Sequence, residues 1–220
     1  MNALNNANIQ DVTCKGLVPF AFPVAKNTQS GESVEYVRDA NKKWFVLRIL
    51  YNQIINIANF MISDGVYAYV AMVWKVENED GKKHKKLVPF LNLLFAYLTD
   101  EEAEAYVKGR THSRYITYYY NHFAKDGGYN PPLVVKERDI EKVIRATSFH
   151  DEHVMNVDLK TCNFVSNELV RVTDGPFEGI VGRVARIARQ KRVVITIEGI
   201  DTGISTAYIP PYCLERVTEQ

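Results

Sequence analysis

The residues of this chain best suited to metal chemistry are two histidines in a short acidic stretch. His150 and His153 enclose two acidic residues, and imidazole and carboxylate groups are common ligands of zinc. No second cluster completes a metal site, and no serine–histidine–aspartate, cysteine–histidine or nucleotide-binding glycine motif is present. We therefore expect no metal ion, no cofactor and no catalytic residue, and we predict that the protein is not an enzyme.

A cluster of basic side chains is a candidate for contact with nucleic acid. It consists of Lys82, Lys83, Lys85 and Lys86. Ammonium groups at this spacing can bind the phosphates of a non-template DNA strand or of a duplex. The alternative is a solvated hairpin tip that is partly neutralised by the acidic residues preceding it in the sequence.

Strand-like and helix-like patterns alternate through the middle of the chain, where these lysines lie. Strands are predicted at residues 44–50, 66–76, 87–98 and 114–123, and helices at residues 54–64, 99–108 and 137–145. Thr99 and Glu102 have the spacing of a capping box at the start of the second helix. This mixed order predicts an α+β fold in which helices pack on a small antiparallel sheet.

The carboxyl-terminal part, residues 167–220, consists of short β-prone runs separated by glycine and proline. Five short strands within about 50 residues are the signature of a small closed β-barrel. Gly182 interrupts the second strand, which indicates a bulge, a sharp bend or a close approach of two backbones. Phe177 lies in the preceding turn, where its ring either contacts a partner protein or plugs the end of the barrel.

The chain is nearly neutral, with 27 basic and 26 acidic residues among 220. This balance argues against a protein held on nucleic acid by bulk charge, and 46% hydrophobic residues exclude acidic disordered and low-complexity classes. Residues 43–150 carry 15 basic and 12 acidic side chains, whereas residues 164–220 carry 7 of each. Affinity for nucleic acid is therefore expected in the middle of the chain.

Cysteine usage and hydropathy indicate the compartment. Cys14, Cys162 and Cys213 are odd in number and widely spaced, which is typical of a reducing environment. No apolar run approaches the ~20 residues of a membrane span, and the amino terminus shows no secretory signal. We expect a cytoplasmic monomer with no membrane partner.

Several motifs resemble the NusG family of transcription factors. Residues 170–187, VRVTDGPFEGIVGRVARI, are similar to the KOW motif of the family's carboxyl-terminal barrel. Trp44-Phe45 resembles the aromatic strand that opens the family's amino-terminal domain, and residues 89–96 resemble its strand patterned Leu-Phe-Pro-Gly-Tyr-Val-Phe-Val. Residues 132–145 resemble the strand and acidic helix that close that domain. The resemblance is greatest to the UpxY-type paralogues, which are antiterminators of capsular-polysaccharide operons.

The resemblance spans residues 43–217 and implies a domain order. It implies an extension at residues 1–42, a NusG amino-terminal antiparallel α/β sandwich at 43–149, a linker at 150–166 and an SH3-like KOW β-barrel at 167–220. The sequence departs from the family at one strand, since its Pro-Gly-Tyr is Leu91-Asn92-Leu93 here.

The family's activity implies a transcription elongation factor that binds the clamp region of RNA polymerase and acts as an operon-specific antiterminator of a polysaccharide biosynthesis operon. The polymerase contact in the family is an apolar patch, which here points to Trp44, Tyr51, Phe90, Leu91 and Leu93. These residues can instead be the core of a strand buried on both faces. In the family's general factor the barrel binds Rho or a ribosomal protein. The resemblance therefore implies that Phe177 contacts such a partner.

A second hypothesis is an RNA- or ribosome-binding KOW protein whose amino-terminal domain is only a scaffold. Ribosomal proteins that use this barrel are typically strongly basic. The charges of residues 164–220 sum to zero, so the sequence favours the transcription factor.

Overall fold

The structure is a computed structural model that describes residues 22–217, except 80–81, 110, 125–126, 149–150 and 188. The structure also does not describe the side chains of residues 79, 82, 83, 166 and 167. No helix in the described part of the chain is long and apolar enough to cross a membrane. Cys162 and Cys213 are free thiols, and Cys14 lies outside the described residues.

The described chain folds into thirteen strands and three α-helices. The strands are β1 (Ala25–Lys26), β2 (Ser33–Val34), β3 (Lys43–Ile49), β4 (Ala68–Glu79), β5 (Lys82–Leu98), β6 (Ile116–Tyr118), β7 (Val134–Val135), β8 (Met155–Asp158), β9 (Phe164–Val172), β10 (Val181–Ile187), β11 (Gln190–Ile195), β12 (Thr202–Tyr208) and β13 (Leu214–Val217). The helices are α1 (Ile54–Ser63), α2 (Asp100–Glu104) and α3 (Glu137–Thr147).

Eleven of these strands form one large sheet. Its order is β13-β9-β10-β11-β12-β8-β4-β5-β3-β6, and β7 pairs with β3. All recorded pairs are antiparallel except β4 with β8, where Trp74 lies opposite Met155. The fold is therefore mixed α+β with a mostly antiparallel sheet and few helices, in agreement with the predicted class. β8 lies within the segment predicted as a linker, and it joins the two halves of the sheet.

Local patterns predicted most of these elements. The capping box is confirmed, because the Glu102 N–H donates to Thr99 Oγ1 at 3.2 Å and the Thr99 N–H donates to the Glu102 carboxylate at 2.9 Å. The predicted strand at residues 114–123 is too long, since β6 spans three residues. The chain forms a tight helical turn at Ser113–Tyr115 before β6, and after it Tyr120 forms only an isolated bridge.

An aromatic cluster holds the amino-terminal extension against the sheet. Trp44 and Tyr97 face each other across β3 and β5, and Tyr67 packs edge-on against Trp44 at 5.5 Å between ring centroids. The extension adds Phe22 and Tyr36, whose rings stack on Trp44 at 5.8 and 5.5 Å. Burial raises the pKa of Tyr36 and of Tyr67 well above the ordinary value of 10.0. Residues 22–42 are therefore packed on the fold, while residues 1–21 lie outside the described part.

A buried asparagine on α1 completes the attachment of the extension. Asn59 is 3% exposed in an otherwise apolar helix face, and its Oδ1 accepts the Thr28 N–H at 3.0 Å. Asn27, 6% exposed, donates from Nδ2 to the Asn59 carbonyl at 3.1 Å and to Ser63 Oγ at 2.8 Å. Each polar group in this contact is satisfied, so the turn after β1 is fixed to the helix.

Replacing Asn59 with alanine is expected to lower the free energy of unfolding by about 1–3 kcal/mol, because the Thr28 N–H loses its acceptor in a partly buried site. Asn56→Ala is the matched control, since Asn56 lies on the same helix but is exposed. That control is expected to change stability by less than about 0.5 kcal/mol. Urea unfolding of both variants measures the difference, and equal midpoints would contradict the role given to Asn59.

Candidate functional site

Three of the five residues predicted to contact a polymerase lie in the core. Trp44 is 2% exposed, and Phe90 and Leu93 are fully buried. Trp44 is covered by Phe22 and Tyr36 of the extension, a contact that the sequence patterns did not predict. Phe90 and Leu93 lie on β5, an interior strand of the sheet. Their side chains are unavailable to a partner in this structure. Tyr51, at 78% exposure, and the partly buried Leu91 are the two that reach the surface.

A bulge in β5 brings Leu91 outward. Pro89 pairs with Met72 and Leu94 pairs with Val70, so four residues of β5 lie opposite one residue of β4. Leu91 and Asn92 have φ values of 51° and 54°, in the left-handed region. A leucine there costs about 1–2 kcal/mol, and such outliers often mark functional positions. The bulge is therefore the point at which β5 leaves its regular pairing with β4.

A second left-handed pair lies beside this bulge. Tyr51 and Asn52, directly after β3, have φ values of 54° and 58°. Arg48 pairs with Leu93, the residue that follows the bulge, so the end of β3 and the bulge are neighbours in the sheet. Asparagine tolerates this conformation better than most residues. In both pairs an asparagine follows a bulky residue. That pattern is the sequence signal that could have predicted a left-handed turn at Asn52 and at Asn92.

A tyrosine and an arginine extend this region. The Leu50 N–H donates to the Tyr115 carbonyl at 2.9 Å, and the rings of Tyr51 and Tyr115 are 6.3 Å apart between centroids. The Arg114 guanidinium lies 4.6 Å above the Tyr115 ring. We name this region the Tyr51 surface, comprising Tyr51, Asn52, Leu91, Asn92, Arg114 and Tyr115. Aromatic and arginine side chains of this kind dominate the energetics of protein interfaces.

The four lysines predicted to bind nucleic acid lie near the start of β5, in a long hairpin with β4. Lys82 and Lys83 are in the strand, but their side chains are outside the described part. Lys85 Nζ lies 2.9 Å from the Glu152 carboxylate, and the hydrogen bond lowers the pKa of that carboxyl. Lys86 is exposed and lies opposite Lys75. An exposed pair such as Lys85–Glu152 contributes little to stability, so Lys85 can exchange its partner for a phosphate.

Phe177 points into the protein rather than toward a partner. It is 5% exposed and belongs to the hydrophobic core. The same loop touches α3, because Arg145 Nη1 donates to the Glu178 carbonyl at 3.3 Å. Of the two sequence interpretations of Phe177, the structure therefore agrees with the ring filling the interior.

The histidine stretch shows no metal site in the described residues. His150 lies outside them, and His153 Nδ1 is 3.1 Å from the Asp151 carboxylate. Among the residues that the structure describes, no group of three or more histidine, cysteine or acidic side chains is placed to hold a metal ion.

No protein-family model matches the sequence, and a search of curated proteins finds no significant relative.

Proposed function

We propose that this protein is a transcription elongation factor of the NusG type that binds RNA polymerase through the Tyr51 surface. The observation that carries the proposal is the left-handed bulge at Leu91–Asn92 beside the exposed Tyr51. It falls at the position of the family's Pro-Gly, which in the resemblance belongs to the polymerase-binding strand. Two adjacent strained backbone segments next to exposed aromatic rings favour a contact surface over a purely structural role.

The order of the elements supports the same proposal. A strand with Trp44, a helix, the β4–β5 hairpin, a second helix and the acidic helix α3 precede the C-terminal strands β9–β13. Those five strands follow the order β13-β9-β10-β11-β12, so the last strand lies beside the first, as in an SH3-like barrel. We further propose that the activity is antitermination at a polysaccharide operon and that Lys82, Lys83, Lys85 and Lys86 touch the non-template strand.

Binding of the full chain to purified polymerase elongation complexes tests the proposal. Tyr51→Ala combined with Leu91→Ala is expected to weaken binding at least about tenfold, because buried aromatic anchors account for most interface energy. Tyr212→Ala is the matched control, since Tyr212 is 84% exposed and lies near the start of β13. It is expected to bind like the native chain. The proposal fails if the native chain does not bind elongation complexes, or if the Tyr51 variant binds normally.

Antitermination is tested separately by transcription through a terminator downstream of the promoter of a capsular-polysaccharide operon. The native chain is expected to increase read-through, and the Tyr51 and Leu91 double variant is expected to lose the increase. If the native chain increases termination instead, the proposed antitermination is contradicted, but the proposed polymerase binding is not.

A further inference from the structure

One edge of β4 is open along the first half of the strand. On one side β4 pairs with β5 from Ala68 to Glu79, whereas on the other side β8 meets it only where Trp74 lies opposite Met155. Because β4 and β8 are parallel, β8 continues beside the later part of β4 and not beside residues 68–73. In the part of the chain that the structure describes, these residues therefore have a neighbouring strand on one side only.

Two hydrogen bonds show which backbone groups of β4 face this edge. The Tyr97 N–H donates to the Tyr67 carbonyl at 3.0 Å, so the backbone groups of odd-numbered residues point toward β5. The Trp74 N–H donates to the Val154 carbonyl at 2.9 Å, so the groups of even-numbered residues point to the opposite side. This alternation is that of an antiparallel ladder.

Three residues of β4 present unpaired backbone groups at the open edge, namely Ala68, Val70 and Met72. Their N–H and C=O groups receive no recorded hydrogen bond from any residue that the structure describes. An edge with free donors and acceptors at every second residue is a template for a further strand. A helix has no matching row of unpaired backbone groups, because its own N–H and C=O groups bond to each other.

An apolar cavity of about 310 Å³ lies along this edge. Ala68, Val70 and Met72 line it, and their side chains project to one face of the sheet. Tyr69, which projects to the opposite face, lines the same cavity. A cavity that reaches residues on both faces of one strand lies at the edge of that strand, so the unpaired backbone groups face the cavity.

The rim of the cavity is apolar and partly exposed. Besides β4, helix α1 and residues 23–26 of the extension line it. Ile55 of α1 is 41% exposed and Val24 of the extension is 42% exposed. Exposed apolar side chains around a groove favour an apolar partner. An extended peptide on a strand edge gains affinity from main-chain hydrogen bonds and specificity from pockets for its alternate side chains.

The polar side chains that line the cavity are already paired, with one exception. Thr28 and Asn59 bond to each other, the Tyr69 hydroxyl bonds to α3, and the Ser148 hydroxyl donates to a carbonyl of the same helix. Lys26 is exposed, and no ion pair joins it to a described residue. The free polar groups of the cavity are therefore the β4 backbone and one ammonium group, which suit a peptide that carries a carboxylate.

We propose that the open edge of β4 binds an extended segment of a partner protein that carries alternating apolar side chains and a carboxylate. The backbone of residues 68–72 pairs with the segment, Ile55 and Val24 contact its apolar side chains, and Lys26 binds its carboxylate. A second copy of this chain could supply a strand, but residues 68–73 contain no acidic side chain to pair with Lys26. The experiments distinguish a partner from a second copy and from residues 1–21.

Amide hydrogen exchange of the full chain, with and without a peptide, tests the pairing directly. The probe is a short acetylated and amidated peptide in which valine and threonine alternate and the last residue is glutamate. In the free chain the Val70 amide is expected to exchange fast, whereas the Tyr69 amide, which faces β5, is protected. The peptide is expected to slow exchange of the Val70 amide at least about tenfold and to leave the Tyr69 amide unchanged.

Two N-methylated forms of the peptide, measured by fluorescence anisotropy, test whether its backbone makes the contact. Each form carries methyl groups on one of the two sets of alternate amides. Only one set faces β4 in an added strand, so one form is expected to lose affinity at least about tenfold and the other to bind within about twofold of the parent peptide. Equal affinity of the two forms would contradict strand addition.

Substitutions in the chain test the side-chain contacts. Ile55→Ser is expected to weaken peptide binding about fivefold, since the variant loses exposed apolar surface at the groove. Val76→Ser is the matched control, because Val76 is 44% exposed on β4 but does not line the cavity. Lys26→Glu is expected to weaken binding about threefold and to prefer a peptide that ends in lysine.

Several outcomes would overturn the inference. They are the absence of peptide binding, equal weakening by Ile55→Ser and Val76→Ser, and a Val70 amide that is already protected in the free chain. In the last case, protection that rises with protein concentration assigns the edge to a second copy, and protection lost on deletion of residues 1–21 assigns it to that segment. The Tyr51 surface shares no residue with this cavity, so the two proposals can fail independently.

Discussion

Gly182→Ala is expected to destabilise the C-terminal strands by roughly 2–4 kcal/mol, because the added methyl group has no room. A Cβ at this position would lie 2.4 Å from the Val194 carbonyl oxygen and 2.8 Å from Val193 Cγ1. The closest atom belongs to the backbone of β11 and cannot rotate away as a flexible side chain can. Relief therefore requires β10 and β11 to separate, which would weaken the ladder between them.

Urea unfolding followed by circular dichroism measures this loss, with Gly109→Ala as the control. A Cβ at Gly109 would meet no atom within 4 Å, so that variant is expected to match the native chain. Amide chemical shifts of β9–β13 should show where the native structure is lost. A Gly182→Ala variant as stable as Gly109→Ala would mean that the two strands are not packed as closely as the structure indicates.

Gly182 also shows how far the sequence predicts this fold. A glycine in an alternating strand indicated a bulge, a bend or a close backbone approach, and the structure identifies the close approach, with an irregular register between Arg183 and Ala185. Local signals of this kind, such as the Thr99 capping box, predict structure well because all the interacting atoms lie within a few residues.

Local sequence patterns do not predict contacts between distant segments. The sequence showed an aromatic residue at Trp44 but not that Phe22 and Tyr36 cover it, since ring stacking leaves no periodic signal. Charge summed over residues 164–220 likewise conceals the local excess of basic residues in the β10–β11 hairpin. The acid-free run between Glu178 and Glu198 was visible in the sequence, but only the strand register places Arg186 opposite Lys191.

A test of the proposed polymerase contact must distinguish the residues that support the Tyr51 surface from the residues that form it. Phe90 and Leu93 flank the bulge and are fully buried, whereas Tyr51 projects from the neighbouring strand end. A change in either group can abolish binding, but for different reasons. Loss of a core ring destabilises the folded state, whereas loss of an exposed ring removes a contact.

Phe90→Ala is expected to lower the free energy of unfolding by about 3–5 kcal/mol, because truncating a fully buried ring on an interior strand leaves a cavity. Tyr51→Ala is expected to change stability by less than about 0.5 kcal/mol, since its ring is exposed and alanine meets the same left-handed backbone penalty. Urea unfolding and polymerase binding measured on the same preparations separate the two effects. Stabilising osmolyte should restore binding to Phe90→Ala by refolding it and should leave Tyr51→Ala deficient. If Phe90→Ala is as stable as the native chain and still fails to bind, the ring itself belongs to the contact, and the surface must include residues that are buried in this structure.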